Sequence, residues 1–111
     1  MRFEENKIGN ILIAKVLDER IAADVAPQFK ARLAGYLKSG ERSIVLNLEA
    51  VSFIDSSGLG ALISSLKAIG GHGNLVIAGA CGSVATMFKL TRMDKILRLF
   101  GTTEEAVAAI S

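Results

Sequence analysis

Cysteine is nearly missing from this chain: of 111 residues, only Cys81 is one. A single thiol cannot close an intramolecular disulfide, so the small stapled scaffolds of secreted proteins are excluded. Histidine is equally scarce, with His72 alone, and one His plus one Cys make no metal-ligand cluster. Neither a metal nor a cofactor is expected. Tryptophan is absent, and one Tyr and five Phe are the only aromatics. The net charge of +2 is small and the basic residues are scattered. A nucleic-acid surface would gather Lys and Arg on one face with aromatics between them, so no direct nucleic-acid partner is expected. Long apolar runs are lacking too, since Gly, Ser or Lys breaks each one well short of a bilayer span. The segment 1–5 turns acidic at once and has no apolar core of a signal peptide. The expectation is a soluble, cytoplasmic protein without membrane insertion.

What is present is a core. Half of the chain is apolar and 22% is charged, enough to bury an interior in one domain over residues 1–111. Ile8 precedes Gly9-Asn10, and Ile11 to Val16 is rich in β-formers, which predicts a hairpin around Gly9-Asn10. Asp24 is a candidate N-cap with Pro27 in the first turn after it. Val25, Phe29, Leu33, Tyr36 and Leu37 then recur at helical spacing, and Gly40 suits the stop. Lys30, Arg32 and Lys38 fall off that stripe, on a solvated basic face.

Ser43 to Leu48 is an apolar run of strand length, as suits a strand covered on both faces. Val51 to Ile54 leads into Asp55-Ser56-Ser57-Gly58 and then a helix with Leu59, Leu62, Ile63, Leu66 and Ile69 as its buried stripe. Gly70 to Asn74 ends it, and Leu75 to Ala78 is the next buried strand. Ser83 is the candidate cap of a further helix with Val84, Met87, Phe88 and Thr91 inward. A last edge strand is placed between Ile96 and Phe100. Thr102 and Glu105 match a capping box before a short terminal helix carrying Ala106, Val107 and Ile110. Strands and helices alternate, the pattern of an α/β layer fold with right-handed crossovers.

Asp55-Ser56-Ser57-Gly58-Leu59-Gly60 is the stretch that composition does not explain. It joins a buried strand to a helix start, whose unpaired N–H groups and positive dipole end favour an anion. A phosphate on a serine there would add roughly −1.5 to −2 charges beside those donors. The carboxylate of Asp55 would repel it, unless Asp55 points away or engages a metal or a kinase group. The same residues also read simply as good caps and a tight turn.

Residues 51–60, Val-Ser-Phe-Ile-Asp-Ser-Ser-Gly-Leu-Gly, resemble the signature of the STAS-domain anti-sigma factor antagonists. Further resemblance lies in Leu17-Asp18 with Ala22, Ala23, Pro27 and Phe29, in Ile44 to Leu48, in Leu90 to Leu97 and in Thr103 to Val107. It spans essentially the whole chain. The resemblance implies a STAS fold, a mixed sheet of four or five strands with about four helices on it. It also implies that Ser57, the second serine of the motif, is the phosphoacceptor, although Ser56 is chemically its equal. By the same resemblance the unmodified protein binds an anti-sigma factor that is a serine kinase, freeing the sigma factor. ATP-dependent phosphorylation dissolves the complex, and a metal-dependent Ser/Thr phosphatase resets it. The chain itself would not be an enzyme. A scaffold or regulatory subunit of a membrane transport complex is the competing function.

Other chemistry finds little support. A serine nucleophile needs a base, and His72, which reads as a plain turn residue, sits about one helix length from Ser57. Asp55 occupies the place of the first glycine of a nucleophile elbow. Gly58-Leu59-Gly60 lacks the lysine of a phosphate-binding loop, so a nucleotide sensor has no loop to use. Gly58, Ala61, Ser65 and Ala68 form a smooth strip beside the buried stripe. It either packs on a neighbouring helix or offers a partner a docking strip continuous with Ser57. In the second case Gly60, Ser64 and Lys67, further out, would be contacts with Asp55, Ser56 and Leu59. Met87 and Met93 read as core rather than interface.

Overall fold

Ile8 and Ile11 face each other across a two-residue turn, with Gly9 at φ +59° in its first position. Only glycine takes that angle without strain, and a positive φ there suits the twist of a tight hairpin. The computed structural model that contains this turn describes the backbone of residues 1–111 and every side chain except that of His72. The expectation that His72 is a plain turn residue therefore lies outside the described side chains.

The hairpin joins β1 (Phe3–Ile8) to β2 (Ile11–Val16). The chain then passes through β3 (Arg20–Ile21), α1 (Ala26–Lys38), β4 (Ser43–Asn47), β5 (Phe53–Ile54), α2 (Ser56–Ile69), β6 (Asn74–Ala78), α3 (Gly82–Leu90), β7 (Leu99–Phe100) and α4 (Thr103–Ile110). Five strands make one mixed sheet in the order β1-β2-β4-β6-β7, antiparallel at β1–β2 and parallel elsewhere. This is the expected mixed sheet with four helices, and the edge strand placed between Ile96 and Phe100 is β7.

The period of two along the strands builds two cores. Leu12, Ala14, Val16, Ile44, Leu46, Leu75 and Ile77 point to one face, where α1 brings Phe29 and Leu33, α2 Leu62, and α3 Phe88. Ile11, Val45, Val76 and Ala78 point to the other, covered by Ala106 of α4. That double coverage is why β4 and β6 read as unbroken apolar runs.

Two helix starts differ from expectation. The turn before α1 is closed by the Ala22 carbonyl, which accepts the Val25 and Ala26 N–H groups at 2.9 and 2.8 Å. Val25 therefore stands at the cap and Asp24 stays outside it, while Pro27 does fall in the first turn. Helix α3 begins one residue before Ser83, with Cys81 at its cap, and Ser83 donates its hydroxyl to the Ser52 carbonyl instead. Thr91 is exposed beyond the end of α3, where its hydroxyl donates to the Met87 carbonyl at 2.7 Å. Of the capping box, the Thr102 cap is as read: the Glu105 N–H donates to Thr102 Oγ1 at 3.1 Å.

Candidate functional site

Asp55 occupies the cap of α2, with extended backbone at φ −105° and ψ −174°. Its Oδ1 accepts the Gly58 N–H at 2.9 Å. Its Oδ2 accepts the Ala23 N–H, from the turn before α1, at 3.1 Å. The half-buried carboxylate thus turns back onto its own helix start and the turn before α1, which answers how an acid fits beside the serines. The Gly58 N–H does most to hold the Asp55 carboxyl below its ordinary value. Partial desolvation opposes it, and the Ala23 and Ser57 N–H groups add to it. One consequence narrows the sequence reading: the Gly58 N–H at this helix start does not stand free for an anion, because Asp55 already uses it.

Gly58 is fixed by packing. A Cβ there would lie 2.4 Å from the Ile21 carbonyl oxygen and 2.7 Å from Ile54 Cγ1. The small parallel ladder of β3 on β5 causes this closeness: Ile21 pairs with Ile54 and lies directly under the first turn of α2. Arg20 braces the same ladder, its guanidinium 4.5 Å from the centre of the Phe53 ring. Gly60, two residues on, has nothing within 4 Å of where its Cβ would be.

The structure sorts the residues expected to meet a partner. Ser56, Ser57, Gly60 and Lys67 are exposed, and Asp55 and Ser64 are half-buried. Gly58, Leu59 and Ala61 are buried in the chain alone. Of the small-residue strip, Gly58 packs on Ile21 and Ile54 and Ala61 faces α1, while the buried Ser65 hydroxyl donates to the Ala61 carbonyl at 2.9 Å. Only Ala68 of that strip is exposed, and Ile63 and Leu66 are half-buried because the strip takes the inward side of α2. Met87 and Met93 pack partly buried against the core.

The two serines part company in their surroundings. Among the described residues neither hydroxyl makes a hydrogen bond within the chain. Ser57 lines an open groove between α1 and α2, together with Ala23, Ala26, Pro27, Lys30, Gly60, Ala61 and Ser64, whereas Ser56 is not among its lining residues. Sequence reasoning missed Lys30, which it left on a solvated face. Its helical offset from Pro27 was visible, but the neighbour across the groove was not. Among the described residues no three His, Cys, Asp or Glu side chains come together as a metal would need. Among the described residues no helix is long and apolar enough to cross a membrane.

Comparison with known proteins follows the same lines. The family model for the STAS domain matches residues 3–106. An anti-sigma-B factor antagonist of Staphylococcus aureus (strain NCTC 8325 / PS 47) is 32% identical over 79 residues, covering 70% of this chain and 73% of that protein. A crystal structure of a candidate anti-sigma factor antagonist from Thermotoga maritima superposes with a TM-score of 0.87 at 25% identity, covering 97% of this chain and 93% of the other. The Bacillus cell fate determinant SpoIIAA, solved in its phosphorylated form, shares the fold with a TM-score of 0.73 at 18% identity, covering 99% and 100%.

Proposed function

The chain belongs to the STAS domain family, and on that footing we propose that it is an anti-sigma factor antagonist switched by phosphorylation of Ser57. In its unmodified form it binds an anti-sigma factor that is a serine kinase, and the sigma factor is released. Transfer of a phosphoryl group from ATP to the Ser57 hydroxyl ends that binding. A metal-dependent Ser/Thr phosphatase removes the group and restores the antagonist. The chain is the substrate in both steps and catalyses neither.

The observation that carries the reading is the setting of Ser57. Its hydroxyl is exposed, makes no hydrogen bond within the chain, and faces an open groove. A kinase can reach it without unfolding α2, because the cap belongs to Asp55 and the close packing to Gly58. The name of the Staphylococcus aureus relative supports the biological role. Phosphorylation then acts as local electrostatics, placing two negative charges and a bulky group on the surface the kinase holds. Changing a complex from mostly bound to mostly free takes several kcal/mol of binding.

Capture of partners from native lysate by wild-type, Ser57→Ala and Ser57→Glu protein tests the proposal. A small ATP-binding kinase held by the first two and lost by the third is the expected outcome. The same transporter components on all three would replace the switch by a scaffold in a membrane transport complex.

A further inference from the structure

A phosphate on Ser57 would meet an electrostatic problem at α2. At this helix start the Gly58 N–H, one of the donors that could otherwise serve an anion, is engaged by Asp55, which also accepts from Ala23 in the turn before α1. Asp55 is moreover negative over the whole neutral range, since those N–H groups hold its carboxyl below its ordinary value. A phosphoryl group of roughly −1.5 to −2 charges would therefore stand beside an acid with part of the usual compensation already taken.

The compensation available is across the groove. Of the residues that line it, Lys30 alone carries a charge. Lys30 takes no part in the ion pairs found among the described residues, which join Lys7 to Glu41, Lys15 to Glu49 and Arg32 to Glu5. Its ammonium is free, on a flexible four-carbon stem. Gly60 and Ala61 line the same groove with little or no side chain, and nothing lies within 4 Å of where a Gly60 Cβ would stand. We propose that Lys30 is the phosphate-pairing residue of this protein: it turns the phosphoryl group of phosphorylated Ser57 into the groove, toward α1 and away from Asp55. The inference rests on the proposal that Ser57 is the modified residue, and it adds a residue that neither the motif nor the family resemblance assigns.

The test uses full-length protein with phosphoserine installed at position 57 during translation, so that no kinase is needed. The second ionisation of the phosphate is followed by phosphorus NMR against pH, in wild type, Lys30→Gln and Lys67→Gln. Lys67 is an exposed lysine of α2 that does not line the groove. A nearby cation favours the dianion, so the wild-type phosphate titrates lower than in Lys30→Gln, by about half a unit for an exposed pair, with Lys67→Gln following wild type. Coincident titration of wild type and Lys30→Gln overturns the proposal, and so does an equal shift in Lys67→Gln. Such a result leaves Ser57 as the acceptor untouched. Conversely, a kinase that labels a different residue removes the switch at Ser57 while leaving this titration as it stands.

Discussion

Asp55 and Ala23 are 32 positions apart in the chain, and a bond from the Ala23 N–H to Asp55 Oδ2 at 3.1 Å ties the start of α2 to the turn that precedes α1. One carboxylate thereby orients both walls of the groove in which Ser57 lies. Asp55→Ala removes the cap and the tie together, and its thermal midpoint falls below that of Asp55→Asn, which keeps a capping oxygen for Gly58. The pH dependence has a definite sign. The Asp55 carboxyl lies below its ordinary 3.8 in the folded protein, so its contribution is complete above that value and fades as pH falls through the lowered one. Denaturant melts of wild type and Asp55→Asn between pH 2 and 7 check this: the gap between them is steady near neutrality and narrows in acid.

Gly58 and Gly60 make a matched pair for substitution. Gly58→Ala drives a Cβ against the Ile21 carbonyl, a backbone atom that cannot swing aside. It should cost about 3 kcal/mol, the upper part of the usual overpacking range. Gly60→Ala meets open space on an exposed helical position and should stabilise by about 0.5–1 kcal/mol. Chemical denaturation of the two variants against wild type separates them. Loss of kinase binding in Gly60→Ala without loss of stability would mark the point where the partner comes close.

Tyr36 ties β1 to α1 by donating its hydroxyl to Glu5 at 2.5 Å, while Phe3 packs edge-on against its ring. Burial is the main cause that pushes the Tyr36 phenol well above its ordinary value, with the bond to Glu5 adding to it. Tyr36→Phe keeps the ring and removes the bond, so it should cost about 1 kcal/mol in a denaturant melt.

Thr102 caps the helix that covers the second face of the sheet. Thr102→Ala should lower stability by about 1 kcal/mol and speed amide exchange in α4 more than elsewhere.

These residues differ in how readable they were from the chain alone. The Thr102 cap was legible because it and the Glu105 N–H lie within one helical turn. The strand runs of β4 and β6 were legible because burial on both faces leaves an unbroken apolar string. Ser83 and Asp24 look like caps by residue type, but a backbone carbonyl at Ala22 and the carbonyl of Ser52 decided otherwise, and both depend on chain geometry. The two-residue strands β3 and β5 are too short to show a period, yet they set the closeness at Gly58. The inward turn of Ala61 and Ser65 follows from the position of α1, which no local pattern records. Lys30 escaped for the same reason, since its relation to Ser57 runs between two helices.

The most direct test of the account is phosphosite mapping. The kinase recovered with the wild-type protein is incubated with ATP and wild-type, Ser56→Ala or Ser57→Ala protein, and the products are sequenced by mass spectrometry. The account predicts one phosphate on Ser57 in the first two and none in the third. A phosphate on Ser56, or labelling that survives Ser57→Ala, would contradict it.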